Sequence, residues 1–343
     1  LPATATGLTL GGGTLAASLT TAAPVSVTAD SIVSGALVLD HPTMTINAGV
    51  TLTVAVAGSL TLNGGADVTV ADTGVLSNYG TLTCLAGTNG DPTTLVTGNG
   101  NGGVVNQAGA TFTRAGSGSN SQMGGRFLNH GSFDESGGEW LGVFFENSVT
   151  GTAVIRGSQP SAGNYDTSWT NAGVMTSHRQ IGNFASSNSG TSTFSNSGTL
   201  NLLSGTHSDQ ATSNSNCGTL NVKGSLGGLN NTGTVNLTGP TLVQPAWDGD
   251  FANNGTLNQG AHLVTVVGFS GYSQKVRNLG TWTGSGGFNF SNDAKLELAA
   301  GTLTSDGPWT FTALGGNGSG VSVGISGTGT LAGTAALTLP ATA

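Results

Sequence analysis

One phrase recurs through the middle of the chain: Asn196-Ser197-Gly198-Thr199-Leu200, Asn216-Cys217-Gly218-Thr219-Leu220 and Asn231-Thr232-Gly233-Thr234-Val235. Each Asn-x-Gly is followed by a short stretch in which Leu or Val alternates with Thr or Asn, as in Thr199-Leu200-Asn201-Leu202. Asn tolerates left-handed backbone and Gly carries no Cβ, so the pair is expected to turn the chain sharply. The alternation then puts apolar side chains on one face of a strand and polar ones on the other. A repeated unit of this kind cannot bury its apolar face alone and must stack on its neighbours. Stacked in parallel, the inward Leu and Val form a continuous core, and the Asn side chains line up as a hydrogen-bonded ladder. The sequence predicts an all-β parallel β-helix, or β-solenoid.

Spacing sets the size of the coil. The turns are assigned to Asn106, Asn129, Asn147, Asn171, Asn196, Asn216, Asn231, Asn253 and Asn278, with Gly198, Gly218, Gly233 and Gly280 completing the clearest of them. The mean step is about 21–22 residues, a solenoid period, and single steps run from 15 to 25. Gly-bounded strands recur every 8–10 residues, as at Val50–Val54, Ser59–Leu62 and Asp67–Val70, which predicts two or three strands per coil; the period predicts roughly 15–16 irregular coils, and the uneven steps predict loops that leave the stack. The expected organisation is one elongated solenoid over residues 1–343. Residues 1–30 and 307–343 form the end strands, and 31–306 form the body, with excursions near 122–170 and 239–250.

Composition removes several classes. Glycine is abundant, 59 of 343 residues, but has no three-residue period, which excludes collagen. Charged residues are 7% and hydrophobic ones 36%, unlike a chain kept disordered by high charge and low hydrophobicity. The net charge is −8, and of the eight Lys and Arg only Lys275 and Arg277 are close in sequence. No basic patch for nucleic acid is expected. No apolar run is long enough for a membrane-spanning helix, so no membrane insertion is expected. Cys84 and Cys217 should lie several coils apart and remain free. The chain begins with Leu1 rather than Met, as a processed chain or a fragment would. Leu1-Pro2-Ala3-Thr4-Ala5 returns as Leu339-Pro340-Ala341-Thr342-Ala343, either as the mark of a tandem array or by chance in a Thr/Ala-rich sequence.

The regular stretch at 31–87, together with the Asn-x-Gly-Thr-Leu phrases, resembles the parallel β-helix passengers of bacterial autotransporters and filamentous-haemagglutinin-like surface proteins, over about residues 40–300. The resemblance implies the same fold and a secreted, extracellular or cell-surface setting in a bacterium. The membrane barrel and the secretion domain that such proteins carry are not evident in this sequence.

Chemistry is sparse. Asp134, Glu135, Glu139 and Glu146 near Trp140 invite comparison with the paired carboxylates and aromatic platforms of glycan-cleaving sites. The competing reading is a solvated loop whose Phe residues fill the core, and no Lys or Arg is concentrated beside it. Trp247-Asp248-Gly249-Asp250 has too few oxygen ligands for a calcium loop, and the five His residues lack metal-ligand spacing. No catalytic residue, cofactor or metal is assigned, and the chain is not expected to be an enzyme. Trp140, Tyr165, Trp169 and Trp247 are the candidate ligand surface. Residues 1–29 and 307–343 carry no charged side chain, although open strand ends are commonly blunted by charge. The expected function is therefore an extracellular structural protein whose partners are copies of itself, joined head to tail into a filament, sheath or surface layer. The alternative is a cell-surface adhesin binding glycan or protein through the aromatic loops. A glycan-degrading β-helix enzyme ranks third.

Overall fold

The computed structural model describes residues 6–87, 91–98, 102–116, 121–137, 139–156, 167–178, 192–204, 212–243, 250–268, 275–291, 293–311, 322–325, 330–334 and 337–338. All regular structure among them is β-strand, paired in parallel and stacked coil on coil. The predicted parallel β-solenoid is the fold observed. The chain divides into two compact units, Leu1–Thr176 and Ser177–Ala343.

In the first unit each coil contributes to two sheets. The first sheet starts with Leu8–Leu15 on Val25–Val33. Val25–Val33 then pairs with two short strands, Thr43–Ile46 and Thr51–Val54. These continue as Asp67–Val70 with Val75–Asn78, and as Thr93–Thr97 with Gly103–Asn106. A single strand, Ser121–Asn129, again covers both and is followed by Glu139–Asn147 and Thr167–Asn171. The second sheet runs through Leu19–Thr21, Ala36–Asp40, Ser59–Asn63, Thr81–Cys84, Thr111–Arg114, Ser132–Glu135 and Thr152–Ile155. The coils with two short strands therefore carry three strands each, as the Gly-bounded spacing suggested. Where one long strand spans both faces it must bend. Ser121–Asn129 does so at Gly125, with φ of 85° and a register shift after Gly124. A Cβ there would lie 2.3 Å from the Thr97 carbonyl oxygen, so only glycine fits the bend.

The second unit uses the same parts but places the division elsewhere. Its first sheet holds Ser192–Asn196, Thr212–Asn216, Asn230–Asn231, Phe251–Asn253, Val276–Asn278, Lys295–Leu298 and Ser322–Ile325. The second sheet begins with Thr199–Leu202, Thr219–Leu226 and Thr234–Val243. Thr234–Val243 then pairs with two strands, Thr256–Gly260 and Val264–Val267, and the pattern continues through Thr281–Gly284 with Phe288–Ser291 and Thr302–Ser305 with Trp309–Phe311.

The core is a set of columns running up the stack. Leu37, Leu60, Leu82, Phe112, Phe133 and Ala153 form one in the first unit, all buried. Leu200, Leu220, Val235, Leu257, Trp282 and Leu303 form its counterpart in the second. Each Leu, Val or Phe in these columns contributes about 1.5–3 kcal/mol on burial. Residues 121–137 and 139–156, within the stretch expected to leave the stack, are coil strands in register with those before them. Residues 157–166 and 244–249 of the expected excursions lie outside the described residues, and residues 167–170 and 239–243 belong to the strands Thr167–Asn171 and Thr234–Val243.

Candidate functional site

The predicted turn asparagines form a buried ladder. In the first unit Nδ2 of Asn78 donates to Oδ1 of Asn106 at 2.8 Å, Asn106 to Asn129 at 2.8 Å, Asn129 to Asn147 at 2.7 Å and Asn147 to Asn171 at 2.8 Å. In the second unit Asn196, Asn216, Asn231, Asn253 and Asn278 repeat the chain of bonds, each at 2.7 Å. The same amide groups also donate to backbone carbonyls, for example Asn231 to Gly233 at 3.3 Å and to Thr256 at 3.3 Å. Every ladder asparagine is at most 2% exposed, and these bonds make that burial tolerable. Asn78 heads the ladder although the sequence reading started it at Asn106. Its phrase, Asn78-Tyr79-Gly80-Thr81-Leu82, is the same one and was the available signal.

The turn works differently from expectation. The asparagines are not left-handed residues: each ends a strand with its side chain pointing inward, and none has positive φ. Nor do Gly218, Gly233, Gly255 and Gly280 need positive φ. They are glycine because the coils approach too closely for a Cβ. At Gly233 it would sit 2.3 Å from the carbonyl oxygen of Gly218, at Gly255 2.2 Å from that of Gly233, and at Gly280 2.1 Å from that of Gly255.

The acidic-aromatic stretch is taken apart by strand alternation. Trp169 is 2% exposed, with its ring 5.0 Å from that of Phe145. It is a core residue and cannot serve as a ligand platform. Trp140 stands in the strand Glu139–Asn147, but its side chain lies outside the description, and Tyr165 and Trp247 lie outside the described residues. Asp134 points outward and pairs with Arg156. Its neighbour Glu135 is fully buried, in the column where Cys84, Arg114, Glu135 and Ile155 succeed one another. Glu146 is exposed on the other sheet. Asp134, Glu135 and Glu146 thus do not converge on one outward surface, as a pair of catalytic carboxylates must.

Arg114, also fully buried, has its Nη1 4.0 Å from Oε1 of Glu135. It donates from Nη2 to the Ser121 carbonyl at 2.6 Å and from Nε to Ser121 Oγ at 3.2 Å. Burial pushes the Cys84 thiol up to about 12, against the opposing charge of Arg114. Cys84 is thus a protonated core residue, and Cys217 is exposed; both are free. The remaining charge cluster is on the surface. Lys275 Nζ and Arg277 Nε each lie 3.2 Å from Glu297 Oε2, and the hydrogen bond from Lys275, then the charges of both cations, hold the Glu297 carboxyl below its ordinary range.

Among the described residues, the outward face of the second unit's second sheet is an ordered surface of Thr and Asn. Thr199, Thr219, Thr234, Thr256, Thr281, Thr302 and Thr330 stand in register, one per coil. Two residues along each strand, a second column holds Asn201, Asn221, Asn236, Asn258, Thr283, Thr304 and Ala332. Asn201, Asn221, Asn236 and Asn258 are joined side chain to side chain at 2.8 Å per step. The alternation of Thr with Leu or Val places these threonines on the polar face of their strands and says nothing of a shared grid. Among the described residues, no group of three or more His, Cys, Asp or Glu is placed to hold a metal. The chain matches no family profile, no curated protein and no solved structure.

Proposed function

We propose that this chain is a secreted, extracellular structural protein whose solenoid associates end to end with copies of itself into a filament, sheath or surface layer. The observation that carries the reading is Leu8–Leu15, the outermost of the described strands in its sheet. It pairs with Val25–Val33, and all its side chains, Leu8, Leu10 and Leu15 included, are exposed or half-exposed. In the next layer Val25, Val27 and Val33 are at most 2% exposed. A strand with apolar, uncharged residues at the end of a parallel stack is a template for another strand, and a head-to-tail joint that does not close on itself gives an open fibre.

The test is negative-stain microscopy of the full chain at rising concentration, beside Thr14→Lys and a chain lacking residues 1–10. Uniform fibres from the parent and short particles from both variants support the proposal. Single short particles from the parent at every concentration overturn it.

A further inference from the structure

The geometry points to ice as the ligand of the second unit's Thr/Asn face. The two columns described above form a grid fixed by the backbone. Neighbouring coils repeat every ~4.8 Å, and residues two apart on a strand are separated by ~6.7 Å. Seven ranks extend the grid about 29 Å along the stack. The register does not slip within it: the two shifts in these strands, between Val222 and Gly224 and between Asn258 and Gly260, both fall after the two columns. Beneath the grid lies the unbroken core column from Leu200 to Leu303, and beside it the buried asparagine ladder from Asn196 to Asn278. The surface is therefore held from below as well as along its length.

The chemistry of the grid fits an uncharged crystalline lattice of water. Neither column contains a charged residue; the charges nearest in sequence, Lys223 and Asp306, lie beyond its border. Threonine offers a hydroxyl that donates and accepts, beside a methyl around which water orders. Its β-branched side chain is stiff, so little freedom is lost when it is held against a solid. The Asn201–Asn258 ladder is likewise fixed before any ligand arrives. A flexible or charged ligand would gain nothing from such strict periodicity, whereas a lattice whose oxygen repeats are commensurate with this grid gains at every rank. The first unit repeats the motif on its own second sheet, with Ser59 and Thr61, Thr81 and Thr83, and Thr111 and Thr113 in register, but there Asp134 follows Thr113 in its column.

Ice-affinity partition tests this directly: ice is grown slowly in a solution of the chain, and the protein in solid and liquid is measured. The parent should enrich in ice, and Thr281→Lys combined with Thr302→Lys, both exposed sites, should lower the partition at least tenfold. Ala252→Lys on the other sheet and Thr14→Lys on the end strand should partition like the parent, which separates ice binding from end-to-end assembly. Circular dichroism confirms that each variant is folded, and Thr281→Tyr replaces the lysine variant if it is not. Exclusion of the parent from ice overturns the inference, as does undiminished partition of the folded Thr281 and Thr302 variants. Retention on microcrystalline cellulose or chitin without retention in ice overturns it too.

Discussion

Two of the buried polar arrangements in these coils, the asparagine ladder and the Arg114–Glu135 pair, solve the same problem in opposite ways. The asparagine ladder repeats one neutral side chain at one corner, so that each amide bonds to its counterpart in the adjoining coil and to nearby backbone. The Arg114–Glu135 pair occurs once, in a column whose neighbours are Cys84 and Ile155. A neutral group satisfied along a whole stack loses little on burial. An isolated ion pair must overcome the desolvation of two charges and can be no better than apolar side chains of similar size. Repetition is what makes buried polarity inexpensive here.

The largest expected effect comes from breaking the pair. Arg114→Met takes the opposing charge away from a buried carboxylate and should lower unfolding stability by about 3–5 kcal/mol, read by chemical denaturation. Breaking the ladder should cost less, because each asparagine has several partners. Asn231→Leu removes the acceptor of Asn216 and the donor to Asn253 and should cost roughly 2 kcal/mol. Gly255→Ala tests the close approach of the coils at the same corner: forcing a Cβ against the Gly233 carbonyl should cost about 1–3 kcal/mol. The surface cluster marks the low end. Glu297→Gln should cost about 0.5 kcal/mol near neutral pH. Because the Glu297 carboxyl is held low, this contribution is present above the ordinary carboxylate range and disappears as pH falls through the lowered value. Thiol labelling costs nothing in stability and sharpens the contrast between core and turn. Cys217 should react at once in the native protein, and Cys84 only after unfolding.

The ladder was legible because its phrase is local: Asn-x-Gly followed by an alternating strand names both corner and core. The same frame reaches further than it was used. Since each ladder asparagine points inward, the residue two before it does too. This places Phe127 before Asn129, Phe145 before Asn147, Phe194 before Asn196 and Trp169 before Asn171 in the core, as observed. Trp169 was therefore recoverable as a core residue from Asn171. Glu135 was recoverable as inward from its offset to Asn129, because a shift of one residue exchanges the two faces of a strand. That Arg114 and Glu135 meet across coils was not legible, since Gln107-Ala108-Gly109-Ala110 lengthens one turn relative to His130-Gly131 and nothing local gives the resulting register. The glycine requirement was misread for a similar reason. The residue beneath each turn belongs to another coil, and sequence shows a turn's own backbone more readily than its neighbour's carbonyl.

The most direct measurement of the central claim is a pair of urea titrations on two double variants. Arg114→Met with Glu135→Leu removes the unrepeated pair whole, and Asn231→Leu with Asn253→Leu removes two adjoining rungs of the ladder. If repetition is what makes buried polarity inexpensive, the first midpoint stays at or above that of the parent and the second falls clearly below it. A first midpoint that falls as far as the second, or a second that does not fall, would contradict the account.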